Sequence, residues 1–354
     1  MGMPTTSTAA PTVRTASPAH AGWPGYGILL LLSLAVLVLA MVSMGLGRYR
    51  LPIQTVIDVL WSALANKASG YSPAIENVVL AVRLPRVLAA MLVGASLAGA
   101  GAAYQTLFRN PLASPAILGV SSGAGFGAAL AMLLGGGALA VQGFSFAGGI
   151  CAVGTAIFIA GHLGKDSALV LVLAGLVVSA LFQALTSATK YLADPLDTLP
   201  TIVFWLLGSL GRVTASDLYF AAPFSALGIV ALFLLRWPTQ VLEAGDDEAR
   251  TLGVPVRWLR VMLIVAATLM TAAAVSISGI VGWIGLLVPH LGRLMIGPAY
   301  ARLLPASILL GAGFLLLVDD LCRSAFATEL PLGIVTAILG APVFVIILAR
   351  ARRQ

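Results

Sequence analysis

Apolar runs long enough to cross a lipid bilayer recur along this chain, and they constrain its fold more than any other feature. A transmembrane helix needs about 20 mostly apolar residues, and about ten runs of roughly that length follow one another with polar residues between them. Hydrophobic residues make up 60% of the chain and charged residues only 9%, which is too little charge for a water-soluble surface. The sequence therefore predicts a polytopic membrane protein.

These runs are continuous rather than alternating, which favours membrane helices over the strands of a transmembrane β-barrel. We predict an all-α polytopic bundle of about ten transmembrane helices, which occupies residues 28–350 as one domain. The predicted spans are residues 28–46, 87–107, 117–134, 141–163, 168–188, 218–235, 261–276, 279–296, 303–321 and 332–349. The soft ends of the runs also allow roughly nine or eleven spans.

The N-terminal segment differs in composition from the runs. Residues 1–27 are rich in Thr, Ser, Ala and Pro, and Arg14 is their only formally charged side chain. This composition favours a disordered tail over a secretory signal. If the tail is cytoplasmic, more of the 20 lysines and arginines lie on the cytoplasmic side than outside, including Arg350, Arg352 and Arg353. The positive-inside rule then predicts that both termini are cytoplasmic.

The polar residues carry no signature of an enzyme or of a cofactor site. Cys151 and Cys322 lie far apart in apolar runs, so we predict neither a disulfide nor a cysteine metal site. Of the lysines only Lys165 follows a glycine, and no G-x-x-x-x-G-K-[ST] loop surrounds it. We therefore predict no catalytic residue, metal or cofactor in this chain. The net charge of +7 comes from residues at span ends, which suits a lipid bilayer better than nucleic acid.

Some segments are not typical of simple transmembrane helices. Glycines are dense at 119–127 and 279–285, which indicates either close helix packing or an interrupted helix that lines a pathway. The apolar segment 196–210 is too short to span, so we predict a helix that lies at the outer mouth. The charged stretch 236–260 contains the breakers Gly253 and Pro255. We predict two short helices there as a docking surface, with a solvated loop as the alternative.

Several strings in this order and spacing resemble one permease family. They are RLPR at 83–86, NPLA at 110–113, LGV at 118–120, ARTLGV at 249–254, GLLVPH at 285–290, ELPLG at 329–333 and LGAP at 339–342. Together they are similar to the FecCD family, which includes cobalamin, haem, ferric-siderophore and some molybdate importers. The resemblance runs from about Ile28 to Arg350.

The resemblance implies the fold of a type II ABC importer permease and a set of partners. Family members work as homodimers of ten-span subunits in the inner membrane, with two cytoplasmic ATP-binding cassette subunits and an extracytoplasmic substrate-binding protein. The implied function is the translocation of a metal chelate, such as an iron-siderophore complex, haem or cobalamin, powered by the separate ATPase subunits. We expect an iron-bearing chelate.

The resemblance also implies a docking site for the binding protein at Arg83, Arg86 and Arg323. Guanidinium groups at an exposed rim pair well with carboxylates and attract an acidic partner. The alternative is that these arginines extend to lipid headgroups as interfacial anchors.

Asn110, Pro111 and Leu112 match the family's cytoplasmic gate. The asparagine can form hydrogen bonds across a dimer axis, and the leucine can close an apolar constriction. An Asn-Pro turn that only ends a helix is the alternative. Residues 164–167 match the opposing part of the gate poorly, so we assign no residue there.

The segment 237–260 contains the match to the family's coupling helices. The residues predicted to contact the ATPase are Glu248, Ala249, Arg250, Leu252 and Gly253. On the span 168–188, three polar side chains are predicted to face the substrate path, namely Gln183, Thr186 and Ser187. Ser and Thr side chains also bond to their own helix backbone, which is the alternative for that set.

Two other classes of protein have a similar composition. An ion-coupled secondary transporter would use carboxylates within the membrane, for which Asp319 and Asp320 are the candidates. These residues also stand three and four positions before Arg323, the spacing of a simple helical ion pair. A membrane enzyme would need converging His, Asp or Cys residues, and the sequence shows none.

Overall fold

The chain folds into a helical bundle. A computed structural model describes residues 24–47, 49–164, 168–325 and 328–351, and no β-strand occurs among them. The α-helices are α1 Pro24–Gly45, α2 Ile53–Leu64, α3 Pro73–Asn77, α4 Leu84–Leu107, α5 Val120–Leu133, α6 Ala138–Leu163, α7 Ala168–Leu192, α8 Thr198–Leu206, α9 Ala215–Leu234, α10 Arg236–Leu242, α11 Asp246–Thr251, α12 Val256–Ser278, α13 Ile284–Ile296, α14 Tyr300–Ser324 and α15 Leu332–Ala351. A π-helical turn, Val78–Arg83, joins α3 to α4, and a 3-10 turn, Pro115–Leu118, precedes α5.

Every predicted span contains a helix, which confirms the all-α polytopic fold. Among the described residues, seven helical stretches are long and apolar enough to cross a membrane. The other three predicted spans correspond to the shorter apolar helices Val120–Leu133, Ile284–Ile296 and Leu332–Val345. Residues 1–23 of the predicted tail lie outside the described residues. Arg352 and Arg353 lie outside them as well.

The second predicted span begins earlier than its sequence suggested. The helical stretch runs over Pro73–Leu107, 35 residues, whereas the predicted span begins at residue 87. The prediction treated Arg83 and Arg86 as a polar boundary, but both side chains are buried within the bundle.

Two helices form the centre of the bundle. In the most apolar part of α12, 72% of the residues are buried inside the bundle, and in that of the stretch containing α4 56% are buried. The corresponding share for α1 is 17%. The helix α4 packs against α12, α13 and α14, and small residues permit this approach. A methyl group on Gly94 would overlap the Gly311 carbonyl of α14, and one on Gly101 would overlap Gly285 of α13. Such close contact drives helix association where lipid removes the hydrophobic effect.

The two glycine-dense segments, 119–127 and 279–285, differ in structure. In α5, a methyl group on Gly123 or Gly127 would overlap backbone carbonyl oxygens of α6, so this segment serves helix packing. Between α12 and α13, residues 279–283 leave the helix, and Gly279 and Trp283 have φ angles of 68° and 70°. The second segment is therefore interrupted, which is one of the two structures that its glycines indicate, and its Gly285 also packs closely against Gly101 of α4.

The two short elements predicted from sequence are also helical. The segment predicted at the outer mouth forms α8, in which Ile202 is buried against α5 and Phe204 is exposed. The charged stretch forms α10 and α11 before α12 begins, as the breakers predicted. We call residues 236–260 the charged segment below.

Candidate docking and coupling sites

Three arginines and three carboxylates meet where α4 begins. We call them the arginine–carboxylate cluster: Arg83, Arg86, Asp319, Asp320, Arg323 and Glu329. Five of them are buried, and only the Glu329 side chain reaches the surface, with 39% of its area exposed. Because the formal charges are equal in number, the cluster is neutral as a whole.

Arg86 is the centre of the cluster. Its Nε donates to both carboxylate oxygens of Asp319, at 3.1 and 3.0 Å. Its Nη1 and Nη2 donate to Glu329 at 3.1 and 3.2 Å. One guanidinium thus makes paired contacts with two carboxylates, the strongest geometry for this group. It ties α4 to α14 and to the loop that leads into α15.

Arg323 and Arg83 satisfy the end of α1. The last carbonyl groups of a helix lack intrahelical partners. Arg323 donates to the Ser43 carbonyl oxygen at 2.6 Å and pairs with Asp320, and Arg83 donates to the Met44 carbonyl oxygen. Since removing one member of a buried ion pair costs about 3–5 kcal/mol, this cluster holds α1, α4 and α14 together.

The prediction that these three arginines stand at an exposed rim is therefore wrong. Arg83, Arg86 and Arg323 are buried and already bonded within the chain, so they neither stand free for a partner nor extend to headgroups. Their role in docking the binding protein stays a prediction. The helical ion pair is confirmed, because Arg323 contacts both Asp320 and, at 3.7 Å, Asp319.

The predicted gate lies at the opposite end of α4. Asn110, Pro111 and Leu112 are all exposed, and the Asn110 side-chain oxygen accepts the Leu112 N–H at 2.9 Å. This is the turn that the alternative interpretation predicted. Leu112 nevertheless presents an exposed apolar side chain, so the gate role stays a prediction.

An acidic residue links this turn to the charged segment. Asp246, the first residue of α11, accepts a hydrogen bond from Arg260 at 2.6 Å and lies 3.6 Å from Arg109. Arg109 directly precedes Asn110 and has a φ of 47°. A displacement of α11 would therefore act on the residue next to the predicted gate.

Most of the predicted coupling residues lie on the surface. Glu248, Arg250, Leu252 and Gly253 are exposed, and Arg250 pairs with Asp247 at 3.1 Å. Ala249 was predicted at the contact too, but it is fully buried against the core of the bundle. Ala249 lies on the inward face of α11, so its side chain is not accessible to a partner.

A second polar link was not predicted from sequence. Glu243, between α10 and α11, accepts a hydrogen bond from the Thr106 hydroxyl at 3.4 Å. Partial burial raises the pKa of the Glu243 carboxyl, although the Thr106 hydrogen bond and the nearby Arg293 act in the opposite direction. Arg293 in turn donates to Gln105. The end of α4 is thus bonded to both α13 and the charged segment.

The three predicted pathway residues on α7 differ in their contacts. Thr186 donates to the Phe182 carbonyl oxygen at 2.8 Å, and Ser187 donates to that of Gln183 at 3.0 Å. Both bonds stay within their own helix, as the alternative predicted. Gln183 is exposed and donates to Ser122 of α5 at 3.5 Å, and a pathway role for all three stays a prediction.

A large cavity lies next to the arginine–carboxylate cluster. Its volume is about 850 Å³, and it is bounded by α8, by the first turns of α6 and α9 and by the loop that carries Glu329. Its polar lining includes Gln142, Asp217 and Arg212, and Trp205 contributes an aromatic wall. In the part of the chain that the structure describes, no three His, Cys, Asp or Glu side chains group together as metal ligands.

The chain is similar in sequence to several known permease proteins. The chain is 37% identical to the molybdate import system permease protein of Haemophilus influenzae, over 92% of this chain and 96% of that protein. It is 42% identical to an iron chelatin transport system permease protein of Helicobacter pylori, over 78% and 83%. It is 36% identical to the hemin transport system permease protein of Yersinia pestis, over 93% and 96%.

A solved structure is similar over most of its length. It is an inward-facing conformation of a metal-chelate type ABC transporter, with a TM-score of 0.83, 36% identity, and coverage of 92% of this chain and 99% of that one. Residues 34–350 match the FecCD transport family. The chain therefore belongs to the FecCD family, the membrane permeases of ABC importers for iron chelates, haem, cobalamin or molybdate.

Proposed function

We propose that this chain is the permease subunit of an importer that carries a metal chelate across the inner membrane and is powered by separate ATPase subunits. Two copies form the pathway, two ATP-binding cassette subunits bind the cytoplasmic face, and a binding protein delivers the cargo outside. The single observation that carries the proposal is the exposed α11 surface, which is linked through Asp246 and Arg109 to the turn that contains the gate residues.

The contacts suggest how a conformational change of the ATPase subunits is transmitted to the gate. Glu248, Arg250 and Leu252 offer two charges and an apolar side chain to a docked partner. The buried Ala249 anchors the same helix to the bundle. A push on α11 then moves Asp246 and, through it, Arg109. The contact between Asp246 and Arg109, at 3.6 Å, is the route by which this movement would favour one gate conformation over another.

The size of the cavity favours a chelate as cargo. Relatives are named for molybdate, for iron chelatin and for hemin, so identity alone does not select among them. The cavity of about 850 Å³ lies within the range of small-molecule sites, roughly 300–1,000 Å³, and exceeds what a tetrahedral oxyanion fills. The aromatic side chains of Phe204 and Trp205 line it as well, which suits an organic ligand.

An ion-coupled carrier is less well supported. Asp319 and Asp320, its candidate carboxylates, both lie in ion pairs with arginines. A neutral, paired cluster has no carboxylate ready to take up a coupling ion.

Uptake in cells tests the proposal. Cells that lack this chain are complemented with it and supplied in parallel with iron-siderophore, hemin, cyanocobalamin and molybdate. We expect uptake of one of the chelates to return, and to disappear when the cognate ATPase gene is deleted. Restored uptake of molybdate alone would refute the choice of cargo, and uptake that persists without the ATPase would refute the energy source.

A further inference from the structure

A proline inside α13 leaves one backbone carbonyl group without its usual partner. Pro289 is buried within this helix. Because proline has no N–H, the carbonyl oxygen four residues earlier, that of Gly285, cannot accept the hydrogen bond of a regular helix. This oxygen packs against α4, since a methyl group built on Gly101 would overlap it. A carbonyl group packed in this way needs a donor from the neighbouring helix.

The side chain of Gln105 supplies that donor. Gln105 is buried and lies about one turn after Gly101 on α4. Its Nε2 donates to the Gly285 carbonyl oxygen at 3.4 Å and to that of Leu286 at 3.1 Å. Its Oε1 accepts a hydrogen bond from Arg293, further along α13. Because an amide carries both a donor and an acceptor, this one side chain bonds to α13 at its backbone and at a side chain.

The backbone of the same glutamine holds the first residue of the predicted gate. The Gln105 carbonyl oxygen accepts the N–H of Asn110 at 3.0 Å, and the Thr106 carbonyl oxygen accepts the N–H of Arg109 at 3.1 Å. With Arg109 at a φ of 47°, these bonds form the Schellman arrangement that ends many helices. The position of Asn110 is therefore fixed relative to the turn of α4 that carries the Gln105 side chain.

We propose that Gln105 is a positioning residue of the gate, which fixes the turn 110–112 to α13 so that the two move together. The proposal rests on the proposed function, in which that turn is the gate. Non-helical residues 279–283 separate α13 from α12 and provide a hinge at its start. A change in the tilt of α13 would reach the turn through Gln105. This route is separate from the contact between Asp246 and Arg109.

Distances between spin labels on the two elements test the proposal. Leu112 in the turn and Leu294 on α13 are both exposed, so Leu112→Cys and Leu294→Cys provide the labelling sites. They are introduced into the full chain with Cys151→Ser, because Cys151 is exposed as well. Electron paramagnetic resonance then gives the distribution of interspin distances with the native Gln105 and with Gln105→Leu.

The matched control for the distances is Gln142→Leu. Gln142 is also buried and donates to a backbone carbonyl oxygen of another helix, that of Asp217 in α9, at 3.2 Å. It lies in the first turns of α6, beside the large cavity. Its loss removes a bond of the same kind without touching α13 or the turn.

We expect one narrow distribution with the native Gln105 and with Gln142→Leu, and a broader or shifted one with Gln105→Leu. The same distribution in Gln105→Leu as in the native chain, or an equal broadening with Gln142→Leu, would overturn the proposal. If Gln105→Leu fails to fold, Gln105→Asn takes its place. Its amide stands on a side chain one methylene shorter, so it cannot reach Arg293 and the Leu286 carbonyl oxygen together, and the same criterion applies.

Uptake per ATP hydrolysed separates a failure of this inference from a failure of the proposed function. It is measured without labels in the complete assembly, where Gln105→Leu should decrease it severalfold while ATP hydrolysis continues. Unchanged uptake beside a broadened distribution would overturn the positioning role and leave the proposed function intact. No ATP-driven uptake by the native chain would refute the proposed function, and the distances would still decide whether Gln105 fixes the turn to α13.

Discussion

The two ends of α4 use charge in opposite ways. Where the helix begins, three arginines and three carboxylates are packed together, and only Glu329 is half-exposed. Where it ends, the charged segment presents Glu248 and Arg250 to the surface, and Asp246 joins it to Arg109. Buried balanced charges hold helices in fixed positions, whereas exposed charges remain available to a partner. We therefore expect mutations at the first end to reduce stability and mutations at the second to reduce coupling.

The largest effect on stability is expected for Arg86→Met. This change leaves Asp319 buried without its main partner, which costs about 3–5 kcal/mol. Thermal unfolding in detergent should show a large decrease in the midpoint. Arg50→Met, at an exposed arginine in the loop after α1, is the control and should change little. Equal midpoints for the two variants would mean that the buried cluster does not hold the bundle.

Arg109→Gln should change stability far less, because its pair with Asp246 is half-exposed and such pairs contribute about 1 kcal/mol or less. Uptake per ATP hydrolysed, measured with the assembled transporter, should nevertheless decrease severalfold. The exposed Arg236, changed to Gln, provides the comparison at the same end. Normal coupling in Arg109→Gln would remove the link from the mechanism.

A double change, Glu248→Ala with Arg250→Ala, is expected to leave stability within about 0.5 kcal/mol of the native chain. Association with the ATPase subunits should weaken about tenfold, since a few contact residues carry most of the energy of an interface. Co-purification and titration of the ATPase subunits measure this effect. Undiminished association would move the docking surface elsewhere.

The smallest effect is expected for Glu243→Gln. Because burial raises the pKa of Glu243 in the folded chain, the fold favours the protonated carboxyl, and its contribution to stability is lost as the pH rises through the folded pKa. The glutamine variant should therefore unfold at a slightly higher temperature at about pH 8, and the difference should vanish below the unfolded pKa of about 4.3. Glu248→Gln, at an exposed site, should show no such dependence. A difference that grows on acidification would have the wrong sign.

Much of the fold follows from the sequence for a simple reason. Backbone groups in hydrocarbon must bond within their own helix, so each long apolar run became a helix or part of one. The start of the second span was misplaced because Arg83 and Arg86 look like boundary residues. The carboxylate partner of Arg86, Asp319, stands 233 positions later, and Arg83 bonds to backbone carbonyl groups at the end of α1 and in the loop after it. No local pattern reveals such a pair.

The sites were predicted less completely than the fold. A charged stretch with helix breakers predicts the two short exposed helices, but the burial of Ala249, one of the predicted coupling residues, depends on which face of α11 meets the core. The Glu243 contact with Thr106 joins residues 137 positions apart, so sequence periodicity does not show it. For Thr186 and Ser187, the tendency of hydroxyl groups to bond their own helix predicted what the structure shows.

The central claim is that this chain forms a pathway and depends on partner subunits for energy. Measuring the energy source of uptake in liposomes tests it most directly. The purified chain is placed in liposomes with a proton or sodium gradient, and cargo uptake is compared with that of the chain assembled with its ATPase subunits, its binding protein and ATP. We predict uptake only in the complete assembly. Uptake driven by an ion gradient in the isolated chain would contradict the account.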